Sequence, residues 1–593
     1  MIRTPLRPLA RVLHARETGE NPDLIERENR RLRLEAQRDQ ARSRAEMRLL
    51  AVALLFAGAL VVLGARMGLL AATEPMELAR GAPEDISSAR ADIVDRQGRV
   101  LATNVATHAL YAETRRMIEP ARAAQELARI FPDIDADRMT ERFTDPNRRF
   151  IWLRSLLSPE QMQAVHDIGD PGLLFAPREM RLYPNGRMGA HVLGGASFGQ
   201  QGVRAAEVIG VAGTELYFED RLRAPDMLDQ PLQLSLDLTV QAAVTEVLEG
   251  GKRMLNAHGA TAVLMDVQTG EVISLVSLPD FDPNDRPLPP TEGEPADSPL
   301  FNRAAQGYYE LGSVMKAFAV AQALDEGTVT PATMIDTRGP LTWGRFRIRD
   351  FRNYGPELSV KDVMVKSSNI GTARIMQPIG AERQQDFLRK IGLLDPMPLE
   401  LSEAARARPL LPARWSDLSV MTVSYGHGLS TSPLALAAGY ATLVNGGYRV
   451  QPTLLKRDRA QLGEQVISAR TSRAMNLMLH QVVQEGTASF ARIPGYPVGG
   501  KTGSADKPNP RGGGYKKDAV LATFASVFPS HAPRYVLIVT LDEPVDTTGP
   551  EPRRTAGWTA VPLSAEITRR VAPLLGLRPV ALDVANAAFA QGQ

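Results

Sequence analysis

One long apolar run divides this chain into two very unequal parts. Residues 49–65 are 17 positions without a charge, and after Arg66 the apolar residues continue from 67 to 72. A helix over residues 49–72 is long enough to cross about 30 Å of hydrocarbon, and Arg66 can extend its side chain toward the interface. The run therefore predicts a transmembrane helix at 49–72, with about 520 residues beyond it.

The charges around this run predict its orientation. Residues 1–48 contain 12 arginines and 8 acidic residues, and no apolar stretch of similar length follows. An excess of basic residues beside a first span places that end in the cytoplasm. We therefore expect the rest of the chain on the outer side of the cell inner membrane. A cleaved signal peptide is the alternative, but it would need an unusually long charged leader and an overlong apolar core. An uncleaved signal anchor is the preferred interpretation.

Patterns beyond the anchor indicate an α+β protein with two regions. Up to about residue 230, short apolar strands mix with arginine-rich helical stretches. Residues 260–266 and 272–276 then predict a hairpin of buried strands, and 519–527 with 534–541 predict a second strand pair. The predicted organisation is a cytoplasmic segment 1–48, an anchor 49–72, a first domain 73–230, a second domain 231–575 and a loosely ordered tail 576–593.

Composition excludes several kinds of site. A net charge of +2 on 593 residues gives no sign of nucleic-acid binding. The chain has no cysteine, which excludes disulfides and thiolate metal sites. Its eight histidines lack the spacing of a zinc motif, so we expect no metal site. His427, between two glycines, is interpreted as a turn residue.

Three short motifs in the second region indicate an acyl-transfer site with a serine nucleophile. They are Ser313-Val-Met-Lys316, Ser367-Ser-Asn369 and Lys501-Thr-Gly503, separated by 54 and then 134 residues. They correspond to S-x-x-K, S-D-N and K-T-G, with Ser368 in the middle position of the second motif. Each alone is compatible with a structural role, such as a serine that caps a core helix. Lysine is scarce here, at 10 against 59 arginines, yet two of the ten occupy required positions. The complete set in order favours catalysis.

The residue types in the first two motifs suit this chemistry. A serine hydroxyl needs a neighbour that accepts its proton. We expect a buried helix to begin at Ser313, with Lys316 on the same face and a positive partial charge at the helix N-terminus. Burial disfavours an ammonium, so Lys316 can act as a neutral base, alone or with another group. Ser367 would relay the proton to the leaving amine, and Asn369 would hold the substrate backbone.

The third motif would recognise the substrate. Lys501 and Thr502 would present a cation and a hydroxyl to a substrate carboxylate, on a strand that borders an antiparallel sheet. Gly503 would permit the close approach of substrate to this strand. The backbone N–H groups of Ser313 and Ser504 would form the oxyanion hole.

A rival motif overlaps this segment. Residues 495–502 match the phosphate-binding pattern G-x-x-x-x-G-K-[ST]. That motif needs a helix that opens at the lysine, whereas Pro494 and Pro497 interrupt the approach and residues 504–514 are rich in Pro and Gly. The segment also lies on the far side of the anchor. We reject nucleotide binding.

From Arg90 to Pro562 the chain resembles the class B penicillin-binding proteins, and within them the septal, FtsI-type enzymes. Two positions depart from the usual pattern, Leu311 for proline and Ala91 for glycine, and neither touches the proposed chemistry. The family marks beyond the three motifs are residues 90–102, 181–186 with His191, 210–215, 278–284, 302–303 and 309–313. The marks of the FtsI type are residues 366–371, 424–429, 431–434, 524–529, 541–544, 556–558 and 560–562.

The resemblance implies a fold and an activity. Residues 73–230 would form an extended mixed α/β pedestal, and 231–575 a penicillin-binding transpeptidase domain with a central antiparallel sheet flanked by helices. Ser313 would attack the D-Ala-D-Ala end of a peptidoglycan stem peptide, without a cofactor, and β-lactams would inhibit it covalently.

The resemblance also implies a location, the division septum. The partners it implies are an FtsW-type membrane glycosyltransferase and other division proteins. The alternatives are an elongation-specific class B enzyme, a β-lactamase, a β-lactam sensor and a catalytically dead scaffold. A sensor would need a larger cytoplasmic module than residues 1–48.

Overall fold

The computed structural model describes residues 22–72, 89–201, 206–509 and 514–581, with a few separate positions nearer the two ends. Residues 73–88, with which the predicted domain 73–230 begins, lie outside the described residues. So do most of residues 1–21 and most of the predicted tail beyond residue 581. The chain forms two units, residues 1–85 and 86–593.

Helix α1, Pro22–Ala72, belongs to the first unit. Its 51 residues correspond to about 75 Å at the rise of an α-helix. Within the described residues, Met47–Gly64 is the one stretch long and apolar enough to cross a membrane. Apolar side chains there, such as Leu55 and Val61, are 70–73% exposed. This agrees with a membrane-anchored protein, and the bounds 49–72 of the anchor stay a prediction.

The second unit begins with a region of seven strands, five of which form one sheet and two of which form a separate hairpin. Its strands are β1 Ile93–Val94, β2 Val100–Glu113, β3 Phe150–Leu157, β4 Leu173–Leu182, β5 Gly195–Gln201, β6 Ala206–Ala212 and β7 Leu232–Gln233. Its helices are α2 Pro120–Ile130, α3 Ala136–Thr144, α4 Pro159–Ile168, α5 Ala190–Leu193, α6 Gly213–Tyr217 and α7 Glu219–Arg223. The long β2 pairs antiparallel with β1, β3 and β4, while β5 and β6 form a separate hairpin. Leu110 and Ile151 of the sheet pack against Leu127 and Phe143 of the helices in a closed core.

The motifs lie in the region that follows. Its helices are α8 Leu238–Met254, α9 Lys316–Asp325, α10 Val360–Lys366, α11 Asn369–Met376, α12 Gly380–Ile391, α13 Asp417–Ser424, α14 Pro433–Val444, α15 Ala469–Glu485 and α16 Ala560–Leu574. Its strands are β8 Gly259–Asp266, β9 Val272–Leu278, β10 Met334–Asp336, β11 Leu341–Trp343, β12 Phe346–Ile348, β13 Glu357–Ser359, β14 Tyr448–Val450, β15 Leu462–Gln465, β16 Gly499–Pro508, β17 Tyr515–Phe528 and β18 Tyr535–Asp542. Five of these strands form one sheet in the order β16-β17-β18-β8-β9, antiparallel throughout.

This central sheet is buried on both faces, because successive side chains of a strand point to opposite sides. On β18, Ile538 packs into the cluster that contains Phe318 of α9 and Tyr440 of α14. Its neighbour Leu537 packs into a second cluster with Val244 of α8 and others from α16. Strands covered twice read as nearly continuous apolar runs, which is why the sequence predicts both pairs.

The strands of this sheet lie where the sequence predicts them, but one of them is longer than predicted. Both predicted strand pairs form, although β17 starts four residues before the predicted 519. Strand β16 has only one neighbour, β17, so its other edge is free of strand pairing within the described sheet. The third motif therefore borders the sheet on a free edge, as predicted.

Candidate active site

The nucleophile turn is residues 311–315, at the start of α9. A helix beginning at Ser313 is predicted; the structure instead has a tight 3-10 turn over Gly312–Met315 before α9 begins at Lys316. Gly312 has a φ of +64°, which a side chain would strain, and an added Cβ would lie 2.8 Å from the Ser504 carbonyl oxygen. The turn is thus pressed against strand β16. It leaves Ser313 partly exposed while Lys316 is fully buried.

All three motifs meet at one hydroxyl, that of Ser367. Lys316 Nζ donates to the Ser367 carbonyl at 2.6 Å and lies 3.1 Å from its Oγ. Lys501 Nζ lies 2.8 Å from the same Oγ and donates to the Thr502 carbonyl at 3.0 Å. Two lysines that lie 185 positions apart in the chain therefore share one serine oxygen.

Burial perturbs both lysines. Lys316 is fully buried, and this desolvation lowers its pKa well below the ordinary value, with the nearby Lys501 charge adding to the effect. Asp350 opposes the shift weakly. Burial lowers the pKa of Lys501 to about 7. Two adjacent ammonium groups in a buried site repel each other and lack hydration, so the doubly charged state is high in free energy. One of the two lysines is therefore readily neutral near pH 7 and able to accept a proton.

The backbone at Ser367 is held in an unusual conformation. Ser367 ends α10 with φ +61° and ψ +46°, the left-handed region, which costs a non-glycine residue about 1–2 kcal/mol. This turn directs its carbonyl to Lys316. The next residue, Ser368, caps α11 by accepting from the Gly371 N–H at 2.9 Å. The second motif is therefore a junction between two short helices.

Asp350 holds this junction, and the motif patterns do not indicate it. Its carboxylate accepts from Ser368 Oγ at 2.6 Å and from the backbone N–H groups of Asn369 and Ile370 at 2.6 and 3.0 Å. The Asn369 amide, predicted to hold substrate, donates to the Arg349 carbonyl at 2.9 Å. The available sequence signal is one acidic residue within an arginine-rich stretch, which is too weak to identify a partner 19 residues away.

Strand β16 presents the third motif on two faces. Lys501 lies on the face toward Ser367, with its side chain buried rather than exposed as a free cation. On the other face, Thr502 Oγ1 lies 2.7 Å from Thr487 Oγ1, and Ser504 Oγ accepts from the Ala556 N–H at 2.9 Å. Thr487 has no motif to mark it in the sequence.

Gly503 faces the nucleophile turn. An added Cβ would lie 2.2 Å from the Leu311 carbonyl oxygen. This glycine therefore allows the close approach of the protein's own turn, and the close approach of substrate stays a prediction. Lys501 also lies within a strand, whereas a phosphate-binding loop requires a helix that begins at its lysine. The structure therefore does not meet the requirement of that motif.

Three side chains frame the other side of the nucleophile turn. Glu310 accepts from the Gly428 N–H at 2.8 Å and from Tyr515 Oη at 3.0 Å. The His427 ring lies 5.7 Å from that of Tyr515, edge to face. Gly426 has a φ of +93°, and an added Cβ would lie 2.0 Å from the Gly312 carbonyl oxygen. His427 is in a turn, as predicted, and this turn also borders the site.

Known proteins share this architecture. Residues 85–230 match the family described as "Penicillin-binding Protein dimerisation domain", and residues 260–560 match "Penicillin binding protein transpeptidase domain". The chain is 34% identical over 509 residues to the probable peptidoglycan D,D-transpeptidase FtsI of Caulobacter vibrioides, covering 84% of this chain and 83% of the relative. It is 29% identical over 482 residues to the peptidoglycan D,D-transpeptidase FtsI of Escherichia coli K12, covering 78% and 80%.

A solved structure is also similar along most of the chain. Penicillin-binding protein 3 of Mycobacterium tuberculosis, in complex with aztreonam, superposes with a TM-score of 0.63 at 25% identity, covering 83% of this chain and 97% of that one. The family models, the sequence relatives and the solved structure indicate the same family. This chain belongs to the class B penicillin-binding proteins of the FtsI type.

Proposed function

We propose that this membrane-anchored protein is a D,D-transpeptidase that cross-links peptidoglycan stem peptides, with Ser313 as its nucleophile. The observation that carries the proposal is the meeting of Lys316 and Lys501 at the hydroxyl of Ser367, with the partly exposed Ser313 three residues before Lys316. The names of the FtsI relatives support the reaction. The aztreonam complex of the M. tuberculosis protein supports binding of β-lactams.

The first half of the reaction forms an acyl-enzyme. Neutral Lys316 takes the proton of Ser313 as Oγ bonds to the carbonyl carbon of the penultimate D-alanine. The N–H groups of Ser313 and Ser504 hold the oxyanion. When the C–N bond breaks, the proton passes from Lys316 through Ser367 to the departing nitrogen, and D-alanine leaves.

The second half runs these steps in reverse with a new amine. An amine of a neighbouring stem attacks the ester carbonyl and gives its proton to Lys316 through Ser367. Lys316 then returns a proton to Ser313 Oγ as the Ser313–carbonyl bond breaks, which releases the cross-linked peptide and restores the neutral lysine. Thr502 and the positive field of Lys501 bind the terminal carboxylate of the donor, Asn369 holds its backbone, and Gly503 keeps the strand against the nucleophile turn.

The anchor and the family support a proposal for the location. The N-terminal segment lies in the cytoplasm and the catalytic domain, residues 231–575, lies in the periplasm on a pedestal of residues 73–230. An FtsW-type glycosyltransferase supplies glycan strands at the division septum. The FtsI names of the relatives support septal work over elongation. A tagged copy at midcell, and filamentous cells on depletion, are expected; a lateral pattern with rounded cells would favour the elongation role.

A labelled penicillin tests the chemistry. The full chain in detergent should become covalently labelled, and the adduct should persist far longer than it takes to form. A β-lactamase with the same motifs would instead release many product molecules per enzyme. Rapid turnover of a chromogenic cephalosporin would contradict the transferase assignment, and failure to label would contradict the serine chemistry itself.

A further inference from the structure

A cationic hairpin stands beside the second motif. Strands β11 and β12 pair antiparallel, with Trp343 opposite Phe346 at the tip. We call residues 338–354, which contain this hairpin, the arginine hairpin. Four of its arginines are exposed and have no ion pair within the described residues, and they are Arg345, Arg347, Arg349 and Arg352. The fifth, Arg338, is paired with Asp336.

The hairpin is fastened to the catalytic junction. Ile348 is 5% exposed and packs with Ile370 of α11. The Arg349 carbonyl and the Asp350 carboxylate bind the Asn369 amide and backbone. The carboxylate of Asp350 accepts from two donors of the second motif and from the N–H of Ile370, so it does not offset the exposed guanidinium groups as a partner.

A cleft of about 500 Å³ opens at the base of this hairpin, between residues 337–340 and 349–356, and it reaches Ile370, the residue that follows the second motif. Arg338, Arg349 and Arg352 line it, together with Tyr354, Ile370 and Asp350, the one carboxylate of the lining. Exposed aromatic rings lie on the same hairpin, and Phe351 is 89% exposed. Guanidinium groups bind carboxylates through two parallel, coplanar hydrogen bonds. Exposed aromatic rings can pack against an extended peptide. The cleft is suited to an acidic peptide.

We propose that the arginine hairpin is a subsite for the acceptor stem peptide, which it binds through that peptide's free carboxylates. This proposal rests on the transpeptidase function above. The attacking amine must arrive where the departing amine left, next to the proton relay at Ser367. Asn369 is two residues from Ser367, and its side-chain amide donates a hydrogen bond to the Arg349 carbonyl. The hairpin therefore borders the path of the acceptor. The donor carboxylate, in contrast, belongs to the third motif.

A thioester donor separates the two halves of the reaction. The full chain in detergent receives a D-Ala thioester peptide, which releases a thiol on acylation, and an amine peptide with free carboxylates or its carboxamide analogue as acceptor. Thiol release reports acylation, and the ratio of aminolysis to hydrolysis products reports the acceptor. The test variant is Arg349→Gln/Arg352→Gln. The matched control is Arg115→Gln/Arg459→Gln, which changes two exposed arginines outside the hairpin and the three motifs.

The wild type and the control should prefer the free-acid acceptor over its carboxamide. In the test variant, aminolysis per thiol released should fall about tenfold with the free acid, as expected for two exposed ion pairs, and little with the carboxamide. Arg349→Lys/Arg352→Lys should recover part of the loss, and 0.5 M salt should weaken the preference of the wild type.

Three results would overturn the subsite. An unchanged preference in the test variant would assign the hairpin to something else, such as an anionic membrane or an acidic protein partner. An equal loss with both acceptors would mean general damage to the junction. No thiol release by the wild type would contradict the proposed function itself, and the subsite with it.

Discussion

Replacing Lys501 by methionine separates the stability of this site from its activity. Methionine keeps most of the side-chain length and removes the charge. It also removes two hydrogen bonds, one to Ser367 Oγ and one to the Thr502 carbonyl. We expect Lys501→Met to be more stable than the wild type at pH 6 and severely impaired in acylation by penicillin.

The magnitude follows from the buried charge. Lowering the pKa from 10.5 to about 7 means that the ammonium is disfavoured in the folded protein by about 5 kcal/mol. The two lost hydrogen bonds offset about 2 kcal/mol of this. A lysine whose pKa is lower when folded binds fewer protons in the folded state, so the free energy of unfolding of the wild type rises with pH between about 7 and 10.5. The advantage of the variant should therefore be about 3 kcal/mol below pH 7 and shrink by about 1.4 kcal/mol per pH unit above it.

Urea unfolding of both proteins in detergent at pH 6, 8 and 9.5 measures this trend. Lys390→Met is the control, because Asp386 raises the pKa of this exposed lysine and the trend should be absent. An advantage that does not shrink between pH 7 and 9.5 would show that Lys501 is not depressed in pKa. The physical account of the lysine pair would then be wrong.

The remaining predictions concern the contacts that hold the motifs together. Gly503→Ala should slow acylation by about a hundredfold, because its Cβ would displace the nucleophile turn at the Leu311 carbonyl. Its control, Gly250→Ala in α8, meets no atom within 4 Å and should stabilise the fold by about 0.5–1 kcal/mol without slowing acylation. Asp350→Asn should lower the free energy of unfolding by about 1–3 kcal/mol. It should also move the acid limb of the acylation pH profile to lower pH, since Asp350 raises the pKa of Lys316. Normal acylation by Gly503→Ala, or an acid limb that stays in place, would contradict these assignments.

Local patterns were sufficient to predict the frame of the site. The strands around Val263 and Phe524 read as apolar runs because both faces of the sheet are buried, and the border position of Lys501 follows from the strand pair after it. Ser313 and Lys316 are three residues apart, so their proximity needs only a helical turn.

Contacts between distant segments could not be predicted in this way. Nothing near Asp350 shows that its carboxylate will cap α11, and nothing near Gly503 identifies the Leu311 carbonyl as its neighbour. The burial of Lys501 depends on packing from several elements, which a motif does not report. The motifs were therefore sufficient to predict which residues to examine, and the burial and the hydrogen-bond partners of these residues are given only by the fold.

The central claim is that Ser313 carries the acyl group during cross-linking. Peptide mass spectrometry of the full chain, quenched during turnover of the thioester donor, tests it directly. The account predicts the donor acyl group on Ser313, and no adduct in a Ser313→Ala variant that unfolds at the same temperature as the wild type. An acyl group on any other residue, or cross-linked product from Ser313→Ala, would contradict it.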